Sequence, residues 1–99
     1  MITHIVMWRV KAVDGGSKEE TARAIKARID AVQGQIPGLL RIEGGVDFNR
    51  GESACDVVLY SEFASRAALD TYQAHPVHKQ LASFIDARQT ERRVVDYEL

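Results

Sequence analysis

Tyr72-Gln73-Ala74-His75-Pro76-Val77-His78 is where this sequence gathers groups that can move protons. An imidazole gives or takes a proton near neutral pH, and a phenol can donate a hydrogen bond to a developing oxyanion. His78 stands three residues before Leu81 and seven before Ile85, spacings that set it beside the apolar stripe of a helix. Tyr72 follows Leu69 by three and takes the inward arc of the preceding turn. Near the start of the chain, His4 shares a strand face with Val6 and Trp8. If that face meets the helices, His4, Tyr72 and His78 converge on one cavity. The same residues have plainer uses. A buried tyrosine commonly satisfies its hydroxyl on a backbone carbonyl, His75 suits the cap of a helix begun by Pro76, and His78 can bond a backbone group nearby.

Other chemistries find less support. His75 and His78 are spaced like metal ligands on one helix, with His4 as a third. Yet His75 sits at the helix entry and no carboxylate motif accompanies them, so no metal is expected. Gly44-Gly45 is followed by Val46-Asp47 rather than by a helix start, which argues against a phosphate loop. Nucleophile-elbow and kinase signatures are absent.

The elements that must position these groups follow from periodicity. Ile2 to Lys11 alternates, with Ile2, His4, Val6, Trp8 and Val10 on one face and Thr3, Ile5, Met7, Arg9 and Lys11 on the other. Both faces carry large apolar groups, which predicts cover on both sides. Ser17 and Glu20 form a capping box, and Ala22, Ile25, Ile29, Val32 and Ile36 continue as one helical stripe, ended by Gly34 and Pro37-Gly38. Leu39 to Val46 reads as a strand, with Gly44-Gly45 marking a bulge or a close backbone approach. After a turn at 49–52, Asp56 to Phe63 is the clearest strand, and the two runs form a hairpin. Ser65 caps a short helix through Tyr72, Pro76 opens another carrying Val77, Leu81, Phe84, Ile85 and Arg88, and Val94 to Tyr97 closes the chain. The order β-α-β-β-α-β is the ferredoxin-like, α+β arrangement, read as a single domain over residues 1–99. It leaves one sheet face bare, and the apolar groups there predict an isologous homodimer packed sheet to sheet.

Composition narrows the partners. Thirteen Lys and Arg against 14 Asp and Glu leave a formal net charge of -1, with no global field for nucleic acid or an anionic membrane. Arg92-Arg93 reads as a solvated strand face. One cysteine, Cys55, precludes an intrachain disulfide and reads as a small buried hydrophobe. The apolar start is too short to span a membrane and lacks a basic leader, so a cytoplasmic location is expected.

Three segments together resemble the stress-responsive A/B barrel domain family: His4-Ile5-Val6-Met7-Trp8-Arg9-Val10, Tyr72 to His78, and Val94-Val95-Asp96-Tyr97. The order of elements agrees over essentially the whole chain. The resemblance implies a dimeric α/β barrel of ferredoxin-like protomers with no cofactor. A few plant members cyclise linear polyketides by aldol condensation without a metal. In them the histidine matching His78 is the general base and the tyrosine matching Tyr72 holds the substrate carbonyl, while a histidine matching His4 lines the pocket. Those cyclases carry a further pocket tyrosine on the first helix, where this chain has Ile29. The resemblance thus implies His78 and Tyr72 as catalytic groups, and His4, Val6, Trp8, Ile29 and Leu81 as walls of a small apolar pocket. Three functions are compatible with it: a cofactor-free cyclase or lyase acting on an oxo-substituted substrate, a non-catalytic stress-related or ligand-binding homodimer, and a cofactor-free monooxygenase with Trp8 at its site.

Overall fold

A computed structural model describes residues 1–99. The chain runs β1 (Ile2–Val10), α1 (Lys18–Asp30), β2 (Leu39–Val46), β3 (Val57–Phe63), α2 (Arg66–Ala74), α3 (Pro76–Asp86) and β4 (Gln89–Glu98). The strands form one antiparallel sheet in the order β2-β3-β1-β4, which is the ferredoxin-like fold. His4 is paired with Ser61 on one side and Asp96 on the other, and Trp8 with Val57 and Arg92. Directly paired residues share a face, so this register decides what stands beside each side chain on the sheet.

Local sequence explains the helix starts. The Ser17 hydroxyl accepts from the Glu20 N–H at 3.1 Å while the Glu20 carboxylate accepts from the Ser17 N–H at 3.2 Å. Such a cap contributes about 0.5–2 kcal/mol. Ser65 does the same for α2 through the Ala68 N–H at 3.1 Å. The helical layer covers one face of the sheet unevenly. α1 packs mainly on β2 and β3, α2 touches the same two strands, and α3 has its principal contacts with α1 and α2. No helix has a main contact with β4, whose principal neighbour is β1.

Several boundaries differ from expectation. α1 ends at Asp30, and Val32 and Ile36 are buried from the turns that follow, not from the helix. Those turns are held by short-range bonds such as Val32 N–H to Ile29 O at 3.1 Å, and Gly34 and Gly38 take φ of 83° and 84°. Asp30 helps to end the helix by accepting from the Gly44 N–H at 2.8 Å. The bulge of β2 lies at Leu39–Arg41, not at the paired glycines. Gly44 instead marks a close approach, since a Cβ there would stand 2.9 Å from the Lys26 Cα. β4 begins at Gln89, well before Val94, and Arg88 lies beyond the end of α3. Cys55 is half-buried in the connection between β2 and β3.

The core lies between the helical layer and the sheet, with Ile25, Ile29 and Phe63 at 0% exposure. On the other face, Ile5, Met7, Val58, Tyr60, Val95 and Tyr97 stand without cover from any helix of the chain. Met7 is 39% exposed, Val95 49% and Tyr97 43%. Within one chain, therefore, β1 is covered on one side only. No helix is long and apolar enough to cross a membrane.

Candidate active site

The corner between α2 and α3 is built by His75 and Pro76. Pro76 has no N–H, so the Tyr72 carbonyl cannot take its usual helical donor and accepts from the His75 N–H at 3.0 Å instead. The Val77 N–H, which would otherwise bond the Gln73 carbonyl, donates to His75 Nδ1 at 3.1 Å. His75 thus ends α2 and caps α3. The Gln73 carbonyl is left free by this exchange, and His78 Nδ1–H donates to it at 3.1 Å. A carbonyl only accepts, so the proton of the neutral imidazole is held on Nδ1 and the lone pair stays on Nε2. Loss of two ordinary helical bonds therefore fixes the tautomer that a base requires.

Tyr72 lies against His78 with ring centroids 4.5 Å apart and against Phe63 at 5.0 Å. His4 meets the same tyrosine edge-on at 6.2 Å. The three groups expected to converge from opposite ends of the chain do so, on one cavity of about 250 Å³. Val6, Trp8 and Leu81 line it as well, with Leu59, Ala82 and Ile85. Ile29 does not: it is sealed in the core under α1, and the cavity lies toward β1, β4 and α3. Its burial followed from the helical stripe, but the stripe could not say which strands it would face.

Residues outside the expected set complete the site. Asp96 accepts from His4 Nδ1, so the carboxylate of β4 orients a buried imidazole through a bond across the β1–β4 pair. Gln73, Asp86 and Arg92 also reach the lining. Arg92 and Arg93, expected together on a solvated face, are separated by the pleat. Arg92 stands with Trp8 on the cavity side and Arg93 with Met7 on the open side. Two arginines in sequence carry no sign of this until the register is known.

The electrostatics favour a neutral imidazole beside a neutral phenol. Burial holds the His78 imidazole below its ordinary 6.5, with help from His4 and Arg92, while the Gln73 carbonyl and Asp86 act in the opposite sense. Burial pushes the Tyr72 phenol up to about 12, so it keeps its proton across the physiological range. Tyr72 is 1% exposed, yet its hydroxyl is not among the sealed, unpartnered polar atoms of the chain. His75 spends Nδ1 on its cap, and no three His, Cys, Asp or Glu side chains come together in a metal-ligating group.

The comparison that decides the family is the match of residues 2–99 to the stress responsive A/B barrel domain model. The chain belongs to that family. A dimeric ferredoxin-like protein of unknown function from Bacteroides fragilis is similar to this A/B barrel domain, with 29% identity over 99% of this chain and 95% of the other and a TM-score of 0.83. The hydroxynitrile lyase of Passiflora edulis is 19% identical over 97% of this chain and 90% of its own, with a TM-score of 0.79. An antibiotic biosynthesis monooxygenase is 21% identical over 100% of this chain and 98% of its own, with a TM-score of 0.72. At these identities the last two likenesses establish the fold alone. No curated protein matches the chain.

Proposed function

We propose that this A/B barrel domain is a cofactor-free lyase or cyclase that removes a proton from carbon next to a carbonyl of a small, largely apolar substrate. The observation that carries the reading is the His78 imidazole, whose Nδ1 is tied to the Gln73 carbonyl while the unprotonated Nε2 remains for the cavity beside Tyr72. His78 Nε2 takes the proton, and the electron pair of the C–H bond moves into a carbon–carbon double bond. The carbonyl oxygen becomes an enolate oxygen, to which the Tyr72 O–H donates. The enolate carbon then attacks a second carbonyl, forming a C–C bond, and the imidazolium returns its proton to the resulting alkoxide. His4, held by Asp96, orients the substrate, and Val6, Trp8 and Leu81 enclose its apolar body. The Passiflora edulis protein of the same fold is a hydroxynitrile lyase, so the fold itself is compatible with a lyase.

The working unit in this reading is a homodimer. The uncovered sheet face with Ile5, Met7, Val95 and Tyr97 supports it, as does the dimeric state of the Bacteroides fragilis relative. Its cavities lie on the opposite face of each sheet, so association leaves them in place.

Exchange of the α-hydrogens of 2-heptanone in D2O, followed by NMR, tests the chemistry without knowledge of the natural substrate. Liquid water occupies about 30 Å³ per molecule, so a cavity of about 250 Å³ holds roughly eight non-hydrogen atoms, the size of this ketone. The protein should accelerate exchange, and His78→Gln should reduce that acceleration by about 10²- to 10⁴-fold with the fold intact. Exchange no faster than in buffer, or equal in His78→Gln, would sink the general-base role. A ligand-binding protein would perturb Trp8 fluorescence with ketone and catalyse no exchange. An oxygenase would consume oxygen with an electron-rich phenol, which proton transfer does not.

A further inference from the structure

The cavity has one feature that proton transfer to His78 does not use. Seven of its twelve lining residues are hydrophobic, and the one cationic side chain among them without a partner is Arg92 of β4, paired across the strands with Trp8. Arg92 makes no ion pair and its guanidinium donates no hydrogen bond within the chain, whereas its neighbour Arg93 is paired with Glu91 at 3.2 Å. Asp86, the one carboxylate of the lining, already accepts from Gln89 Nε2 at 3.2 Å and lies beyond ion-pairing distance of Arg92. The pleat keeps Arg92 on the cavity face, away from the open face that carries Met7 and Arg93.

We infer that Arg92 selects a substrate that carries a carboxylate at the end of its apolar body. A guanidinium offers a planar fork of N–H donors that fits a carboxylate in a bidentate manner. Free in the lining of the cavity, it offers a charged contact that a hydrocarbon ketone leaves unused. With the carboxylate at Arg92, the body of the ligand lies along Trp8 and Leu81, and its other end reaches Tyr72 and His78. The substrate class is therefore an oxo acid of about eight non-hydrogen atoms, as the volume of about 250 Å³ allows. The charge of Arg92 is already felt at His78, which places both groups in one electrostatic environment. This inference rests on reading the cavity as a ligand site, though not on turnover.

Trp8 is the only tryptophan and lines the cavity, so its fluorescence reports occupancy directly. Hexanoate and hexanamide have the same shape and differ in charge. Hexanoate should titrate Trp8 with a dissociation constant roughly tenfold below that of hexanamide, the ratio expected for one charge-assisted contact near solvent. Arg92→Gln should bring hexanoate to the level of hexanamide and leave hexanamide unchanged, while Arg92→Lys keeps part of the preference. Arg92 is exposed, so the thermal midpoint of Arg92→Gln should match that of the parent. Equal binding of acid and amide, or a preference that survives Arg92→Gln, overturns the selection by Arg92 alone; ketone exchange would then still stand. Absence of any Trp8 response to either probe overturns it together with the ligand site.

Discussion

Where α1 lies over β2 and β3, side chains fill the space between helix and sheet; where α3 stands off from β1, they leave a cavity that Arg92 of β4 borders. In the first region Ile25 and Ile29 are fully buried, and Gly44 lets the helix backbone approach until even a methyl group would collide. In the second, α3 rests on the other helices and β4 has no helix above it. The polar groups follow the space. His4, Tyr72, His78, Arg92 and Asp96 belong to or border the open region, while α1 buries Ala22, Ile25 and Ile29 with Thr21, whose hydroxyl is bonded to the Ser17 carbonyl. One half of the layer is closed core and the other half holds the groups to which the proposed chemistry is assigned. The His75–Pro76 break shapes the second half, because it turns the chain between Tyr72 and His78 and frees the Gln73 carbonyl that orients the His78 ring.

Two substitutions test that division from opposite sides. Ile29→Ala should cost about 2–5 kcal/mol of unfolding free energy in urea titration, because it removes a fully buried side chain from a closed region. It should leave ketone exchange per folded molecule and the hexanoate response of Trp8 unchanged. A loss of either in a folded Ile29→Ala protein would break the comparison and return Ile29 to the pocket wall. Tyr72→Phe should do the reverse. It retains the ring packed between Phe63 and His78 and removes only the hydroxyl. Exchange should fall by about 10²- to 10³-fold, the usual loss for one oxyanion donor, with little change in the urea midpoint. A Tyr72→Phe protein that is fully active but much less stable would make Tyr72 a core residue only.

How far these halves can be seen in the sequence differs between them. The capping residues Ser17, Ser65 and Pro76 and the alternation of β1 announce the elements, and spacing brings His4, Tyr72 and His78 to one place on the condition, met in the structure, that the His4 face of β1 meets the helices. The end of α1 is hidden because Val32 and Ile36 remain buried after the helix has stopped, so the apolar stripe outlasts the hydrogen bonds. The first half of β4 is hidden for the opposite reason. Gln89-Thr90-Glu91-Arg92-Arg93 has no helix to bury a face against, so it shows no apolar alternation although it pairs with β1. Arg92 and Asp96 become site residues only through the β1–β4 register, a long-range property that local pattern does not carry. Ile29 shows the same gap from within the core: periodicity gives its direction but not its neighbours.

The smallest expected effect concerns pH and follows from how unequally the open region treats two protons. Burial is the first cause of both shifts, lowering His78 because it disfavours the cation and raising Tyr72 to about 12 because it disfavours the phenolate. Exchange should therefore rise with pH through a midpoint below 6.5 and then stay level beyond the ordinary tyrosine value of 10. Arg92→Gln removes a positive charge that helps to disfavour the imidazolium, so the midpoint should move upward, which an NMR titration of the His78 ring can follow. Stability is linked in the same sense. Between the lowered folded value and the ordinary 6.5 the unfolded chain binds more protons at His78, so stability is gained as pH rises through that window and lost as it falls. The solvent-exposed part of the ring keeps the change small, well below the effect of Ile29→Ala. If the midpoint lay above 6.5, the Gln73 carbonyl and Asp86 would outweigh burial, and the open region would hold a cationic acid where a neutral base is required.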